Sequence, residues 1–151
     1  MRLAYSLLPY PALFEAQTVA IVDALFISSR IRLTGAMERL NLKPTNKSVQ
    51  NYYEALRQFK TIDVSHEGAV RSAFQNLLEH CGRQFGWKLV PEWPIKRDRA
   101  HSLRVDGALV DEYRLTHGFW EAKDSHDDLA REVKKKLTAG YPQNNIIFSG
   151  A

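Results

Sequence analysis

The chain has 151 residues, 44% of them apolar and 25% charged, the size and composition of one compact globular domain rather than a multidomain machine, a disordered tail or a fibre. A single cysteine, Cys81, excludes an internal disulfide, a zinc ribbon and a Cys-x-x-Cys redox centre, and it fits a cytoplasmic setting. Lys and Arg number 21 against 17 Asp and Glu, a net +4 that permits a polyanionic partner without requiring one.

The longest apolar run, Val19 to Ile27, contains Asp23 and falls well short of the roughly 20 residues a bilayer span needs. Met1-Arg2-Leu3 is followed by no small-residue cleavage site, so neither export nor a membrane partner is expected. Up to about residue 60 the pattern is helical: Ala12 to about Ser28, Thr34 to Leu40, and Asn46 to Lys60, where Val49, Tyr53, Leu56 and Phe59 recur at helical spacing. Gly35 and Asn41-Leu42-Lys43-Pro44 break it.

Beyond residue 60 the texture alternates. Ser65 reads as the N-cap of a helix reaching about Cys81, with Gly82 at its C-terminal end. Trp87–Trp93, Ser102–Val110 and Gly118–Lys123 read as strands, rich in β-branched and aromatic residues. Ser125 and Asp128 form a capping box for a helix carrying Leu129, Val133 and Leu137, which Ala139-Gly140-Tyr141-Pro142 ends. Asn145–Ser149 is a last strand. The order is αβββαβ over 62–151, preceded by a helical appendage over 1–61. Short links predict antiparallel strands and the last helix a parallel crossover, hence an α/β (α+β) fold with a mixed sheet and helices on its faces.

The chemistry concentrates in Gly118-Phe119-Trp120-Glu121-Ala122-Lys123-Asp124. The strand period of two puts Glu121 and Lys123 on one face and Trp120 and Ala122 on the other. In the preceding strand Val105, Gly107 and Leu109 are expected on one face and Asp106 on the opposite one, so pairing of the strands brings Asp106 beside Glu121. Two carboxylates and the strand carbonyl of Ala122 form an oxygen donor set for Mg2+, with Mn2+ as a substitute. Lys123 beside them can orient or deprotonate a water and neutralise an oxyanion, a combination suited to phosphodiester cleavage. The helix after Ser65 has the apolar stripe Val70, Phe74, Leu77, Leu78, Cys81, and Glu67 falls on it; a carboxylate aimed inward is costly without a bound partner, and a metal or its water would serve. Neighbouring carboxylates repel, so removal of Asp106 or Glu121 is expected to spare the fold.

These residues resemble the PD-(D/E)XK nuclease superfamily over about residues 62 to 149. Its αβββαβ core carries an acid on the second strand, here Asp106, and E-x-K on the third, here Glu121-Ala122-Lys123; the proline of the family name is Val105 in this chain. More narrowly, Phe119 to Asp124, Asp127-Asp128-Leu129 and Gly140 to Phe148 resemble nuclease domains at the N-terminus of large restriction-modification proteins that carry an adenine methyltransferase (type ISP or type IIG-like). The resemblance implies a Mg2+-dependent deoxyribonuclease with DNA as partner, Glu67 joining Asp106 and Glu121 at the metal, and Lys123 as catalytic lysine. It also implies a longer parent, of which a chain ending at Ser149-Gly150-Ala151 would be a fragment, with the methyltransferase as a further partner.

Lys96, Arg97, Arg99 and Arg104 form a basic link leading to Asp106, and Lys134 and Lys135 lie near a helix C-terminus; both groups are candidates for phosphate contacts. The run Lys134-Lys135-Lys136 as a whole also has an explanation in compensation of the helix dipole. Thr34–Leu40 and Asn46–Phe59 mimic a helix-turn-helix, but the turn lacks glycine and the second helix is tyrosine-rich, so this part is read mainly as support for the core. The five histidines are scattered and none has H-x-x-x-H spacing. The alternative reading is a catalytically inactive nuclease-like domain that binds DNA or protein; a substrate of RNA or branched DNA is a third.

Overall fold

The computed structural model describes residues 2–6, 13–28, 40–62, 67–95, 102–123 and 128–150. The elements in chain order are β1 (Arg2–Ser6), α1 (Leu13–Ser28), α2 (Lys47–Thr61), α3 (Glu67–Arg83), β2 (Lys88–Ile95), β3 (Leu103–Val110), β4 (Thr116–Lys123), α4 (Leu129–Thr138) and β5 (Ile146–Gly150). The run from α3 to β5 is the expected αβββαβ order. The N-terminal region contributes a strand besides its helices. β1 joins the sheet edge parallel to β5, Arg2 opposite Ile146.

The sheet order is β1-β5-β4-β3-β2. β2, β3 and β4 are antiparallel neighbours joined by short links, and α4 carries the chain over to β5, parallel to β4. α1, α2 and α3 cover one face. Their apolar side chains, among them Val22, Phe26, Val49, Tyr52, Phe74, Leu77 and Leu78, share a core with Leu109, Trp120, Ala122 and Ile147 of the sheet. α4 covers the other face, where Leu129 and Val133 pack with Val105, Phe119, Tyr141, Ile146 and Phe148.

Local signals explain most boundaries. Asn46 turns its side chain back to accept from the Lys43 N–H at 2.7 Å, and α2 starts at Lys47. The stripe Phe74, Leu77, Leu78, Cys81 of α3 is buried as its spacing predicts. α3 does not end at Gly82, however; it runs through it to Arg83. A Cβ at Gly82 would stand 2.9 Å from Leu109 Cδ2 and 3.1 Å from the Trp87 carbonyl oxygen. This glycine therefore serves close approach of helix to sheet rather than termination. At α4 the expected capping box is corrected: Asp128 itself is the N-cap, accepting from the Arg131 N–H at 3.2 Å, and the helix starts one residue later. Gly140, at φ +100°, ends it as the sequence indicates.

Ser65 and residues 34–39 of the expected short helix lie outside the described residues, and Leu40 is not helical. Tyr52 and Tyr53 of the second candidate DNA-reading helix are buried, Tyr52 edge-on to Phe74 with ring centroids 5.7 Å apart, and Tyr53 hydrogen-bonds Thr18 of α1. They bind α2 into the core. No described helix is long and apolar enough to cross a membrane.

Candidate active site

The site forms where two antiparallel strands part. The β3–β4 ladder runs from Val110↔Thr116 to Gly107↔Trp120, and at Asp106 side chains replace backbone partners. The Ala122 N–H donates to Asp106 Oδ2 at 2.7 Å, and the Asp106 N–H donates to Glu121 Oε2 at 3.3 Å. Each carboxylate thus closes one rung of the fork by accepting from a backbone N–H of the other strand.

The simple alternation expected of β3 fails at this point. Val105 packs on the α4 side, whereas Leu109 packs on the side of α1 to α3. Across the sheet the β2 pairing passes from Pro91↔Gly107 to Trp93↔Val105, skipping Glu92, whose φ is +50°. One residue on each strand lies between these pairs, so the register is kept, and Asp106, opposite Glu92, stands where the facing of β3 changes.

Both helix layers reach the fork. From α3, Arg71 stands 3.0 Å from Asp106 Oδ1 and 2.7 Å from Glu92 Oε1. From α4, Lys136 Nζ stands 2.6 Å from Glu121 Oε1, an oxygen that also lies 3.4 Å from Lys123 Nζ. The Glu121 side chain is only 5% exposed, Lys123 11% and Lys136 24%. A carboxylate so buried is tolerable because both of its oxygens have partners and two ammonium groups flank one of them. The structure therefore brings together Asp106, Glu121 and Lys123, with Ala122 contributing its N–H.

Tyr141 completes the cluster. Its hydroxyl donates to the Arg104 carbonyl at 2.8 Å and accepts from Lys136 Nζ at 3.0 Å, and the same ammonium lies 4.7 Å above its ring. Burial lowers the pKa of Lys136, but its hydrogen bonds to Glu121 and Tyr141 and the charge of Glu121 outweigh that, leaving it above the ordinary lysine value. Burial raises the Tyr141 phenol, and the carboxylates of Glu121 and Asp106 add to the rise against the opposing Lys136.

Other sequence candidates are placed differently. Glu67 heads α3, one turn before Arg71, and its side chain lies outside the described residues. Lys96, Arg97 and Arg99 lie outside them as well. Arg104 is exposed two residues before Asp106; Lys134 and Lys135 are exposed on α4, Lys135 paired with Glu132 at 3.2 Å. Among the described residues no group of three or more His, Cys, Asp or Glu side chains could hold a metal ion. Asp106 and Glu121 alone supply two hard oxygen donors, the donor type Mg2+ uses with one or two carboxylates and waters.

Sequence reasoning missed Arg71, Lys136, Glu92 and the role of Tyr141. The signal was present for two of them. Arg71 falls three residues before Phe74, and Lys136 three after Val133 and seven after Leu129, so each is a cation on the inward stripe of its helix. A charge on an apolar stripe asks for a buried countercharge.

No protein-family model matches the sequence, and no curated protein matches it. Among solved structures the chain is similar to a cryo-EM structure of a DrdV–DNA complex, with a TM-score of 0.65 and 35% sequence identity over 70% of this chain and 10% of that one. It spans about a tenth of the length of that protein. The mixed sheet and its flanking helices form a restriction-endonuclease-like core.

Proposed function

We propose that this chain is the nuclease unit of a larger restriction-modification protein of the PD-(D/E)XK type, and that it hydrolyses DNA phosphodiester bonds with Mg2+. The carrying observation is the fork at which Asp106, Glu121 and Lys123 meet. The likeness to part of a protein solved in complex with DNA supports the substrate.

Asp106 and Glu121 would hold the metal, Mn2+ substituting for Mg2+, with the Ala122 carbonyl and Glu67 as further ligands. The bound ion would lower the pKa of water and offset charge on the phosphate. Lys123 Nζ, held by Glu121 near the mouth of the fork, directs ammonium protons at a non-bridging phosphate oxygen and orients the attacking water. Arg71, 3.0 Å from Asp106 Oδ1, fixes the orientation of that carboxylate at the fork. Arg104, Lys134 and Lys135, with Lys96, Arg97 and Arg99 of the adjoining link, contribute phosphate attraction that carries no sequence information.

Incubation with supercoiled plasmid tests this reading. Nicking should require Mg2+, cease with chelator, and fall by orders of magnitude in Asp106→Asn, Glu121→Gln and Lys123→Arg, the last because a planar guanidinium does not superimpose on an ammonium and does not give up its proton. Plasmid binding without cleavage in any divalent cation would favour an idle DNA-binding domain. Cleavage of RNA or branched DNA alone would move the substrate class.

A further inference from the structure

We propose that Lys136 is a built-in competitor for the metal at Glu121, an inference that rests on the nuclease reading above. Its ammonium already occupies Glu121 Oε1 at 2.6 Å, closer than Lys123 approaches the same oxygen at 3.4 Å. The placement is fixed by design of the local contacts: Nζ also donates to the Tyr141 hydroxyl at 3.0 Å and sits over its ring, while that hydroxyl is anchored on the Arg104 carbonyl at 2.8 Å. Lys136 thus stands on one of the two carboxylates that would bind the ion, held by partners on two other segments.

Charge balance points the same way. In the described cluster Arg71, Lys123 and Lys136 face Glu92, Asp106 and Glu121, three cations against three anions. A dication entering with all three cations in place would leave the pocket with two uncompensated positive charges in a partly buried setting. Withdrawal of one cation halves that excess, and Glu67, a further ligand in the reading above, would offset the remainder. Arg71 is spread over two carboxylates, and Lys123 springs from the strand of Glu121 itself with 11% of its side chain exposed. Lys136 has a long stem on a separate helix and 24% exposure, so it can turn its head to water at least cost. On α4 it then joins the exposed Lys134 and Lys135.

The test is calorimetric titration of the full chain with MgCl2 in the absence of nucleic acid. Lys136→Met and Lys136→Gln should bind Mg2+ roughly tenfold more tightly than the wild type, and Mg2+ should raise their melting midpoints more than that of the wild type. Lys136→Arg, which keeps the charge, should stay near the wild-type affinity. Equal or weaker Mg2+ binding by Lys136→Met and Lys136→Gln, with native circular dichroism in at least one of them, overturns the proposal. Glu121→Gln separates the two failures. If it weakens Mg2+ binding while the Lys136 variants do not strengthen it, competition alone is rejected; if it leaves binding unchanged, Glu121 is not a ligand and both readings fall.

Discussion

Glu121→Ala removes the acid on which the fork is built, and the structure assigns the change a stability cost. The sequence by itself predicts little loss, because two neighbouring carboxylates repel. In the folded chain the repulsion is already overcome: Lys136 stands 2.6 Å and Lys123 3.4 Å from Oε1, and the Asp106 N–H donates to Oε2. Deletion leaves two ammonium groups without their carboxylate and one N–H without its acceptor. Breaking a buried pair from one side costs about 3–5 kcal/mol; the 24% exposure of Lys136 lets that head escape to water and favours the lower end, about 3 kcal/mol. For a chain of this size about 1 kcal/mol moves the midpoint by about 2–4 °C, so thermal unfolding followed by far-UV circular dichroism at neutral pH, without metal, should show a drop of about 6–12 °C. Glu121→Gln should lose less, since the amide refills the volume and still accepts from Asp106. Combining Glu121→Gln with Lys136→Met should cost less than the sum of the two by about 0.5–3 kcal/mol, the coupling expected of contacting residues. A midpoint within about 2 °C of wild type for Glu121→Ala, or strict additivity in the double variant, would refute the view that this pairing holds the fork closed.

Other outcomes follow from single contacts. Gly82→Ala should destabilise by about 1–3 kcal/mol, because its Cβ meets Leu109 and the Trp87 carbonyl at or under about 3.1 Å, and a denaturant midpoint reads it. Burial pushes the Cys81 thiol up to about 12, so it should resist a disulfide-exchange reagent at pH 8 in the native state and react fully in denaturant. The hydrogen bond from His117, at 2.8 Å, and those from the Leu115 and Tyr113 N–H groups hold the Asp111 carboxyl below its usual range. A carboxylate whose pKa is lower folded than unfolded contributes stability above about pH 4 and loses it as pH falls through the folded value. Acid titration of the melting midpoint should therefore fall less steeply in Asp111→Asn than in the wild type.

The sequence determined the elements and the chemistry they carry. Stripes of period 3.6 in α2, α3 and α4, period-two strands and the glycine after α4 are local signals, and they placed α3 to β5 in the right order with Asp106, Glu121 and Lys123 on adjoining strands. The sequence did not reveal β1, whose partner β5 lies some 140 residues away along the chain. Nor could periodicity show that the facing of β3 changes at Asp106, opposite Glu92 on another strand. The charge balance of the site was equally out of reach: Arg71 and Lys136 come from helices on opposite faces of the sheet and meet the two carboxylates only at the fork. Local patterns fix which way a side chain faces on its own element; which countercharge it meets depends on how distant elements pack, and that decision belongs to the tertiary structure.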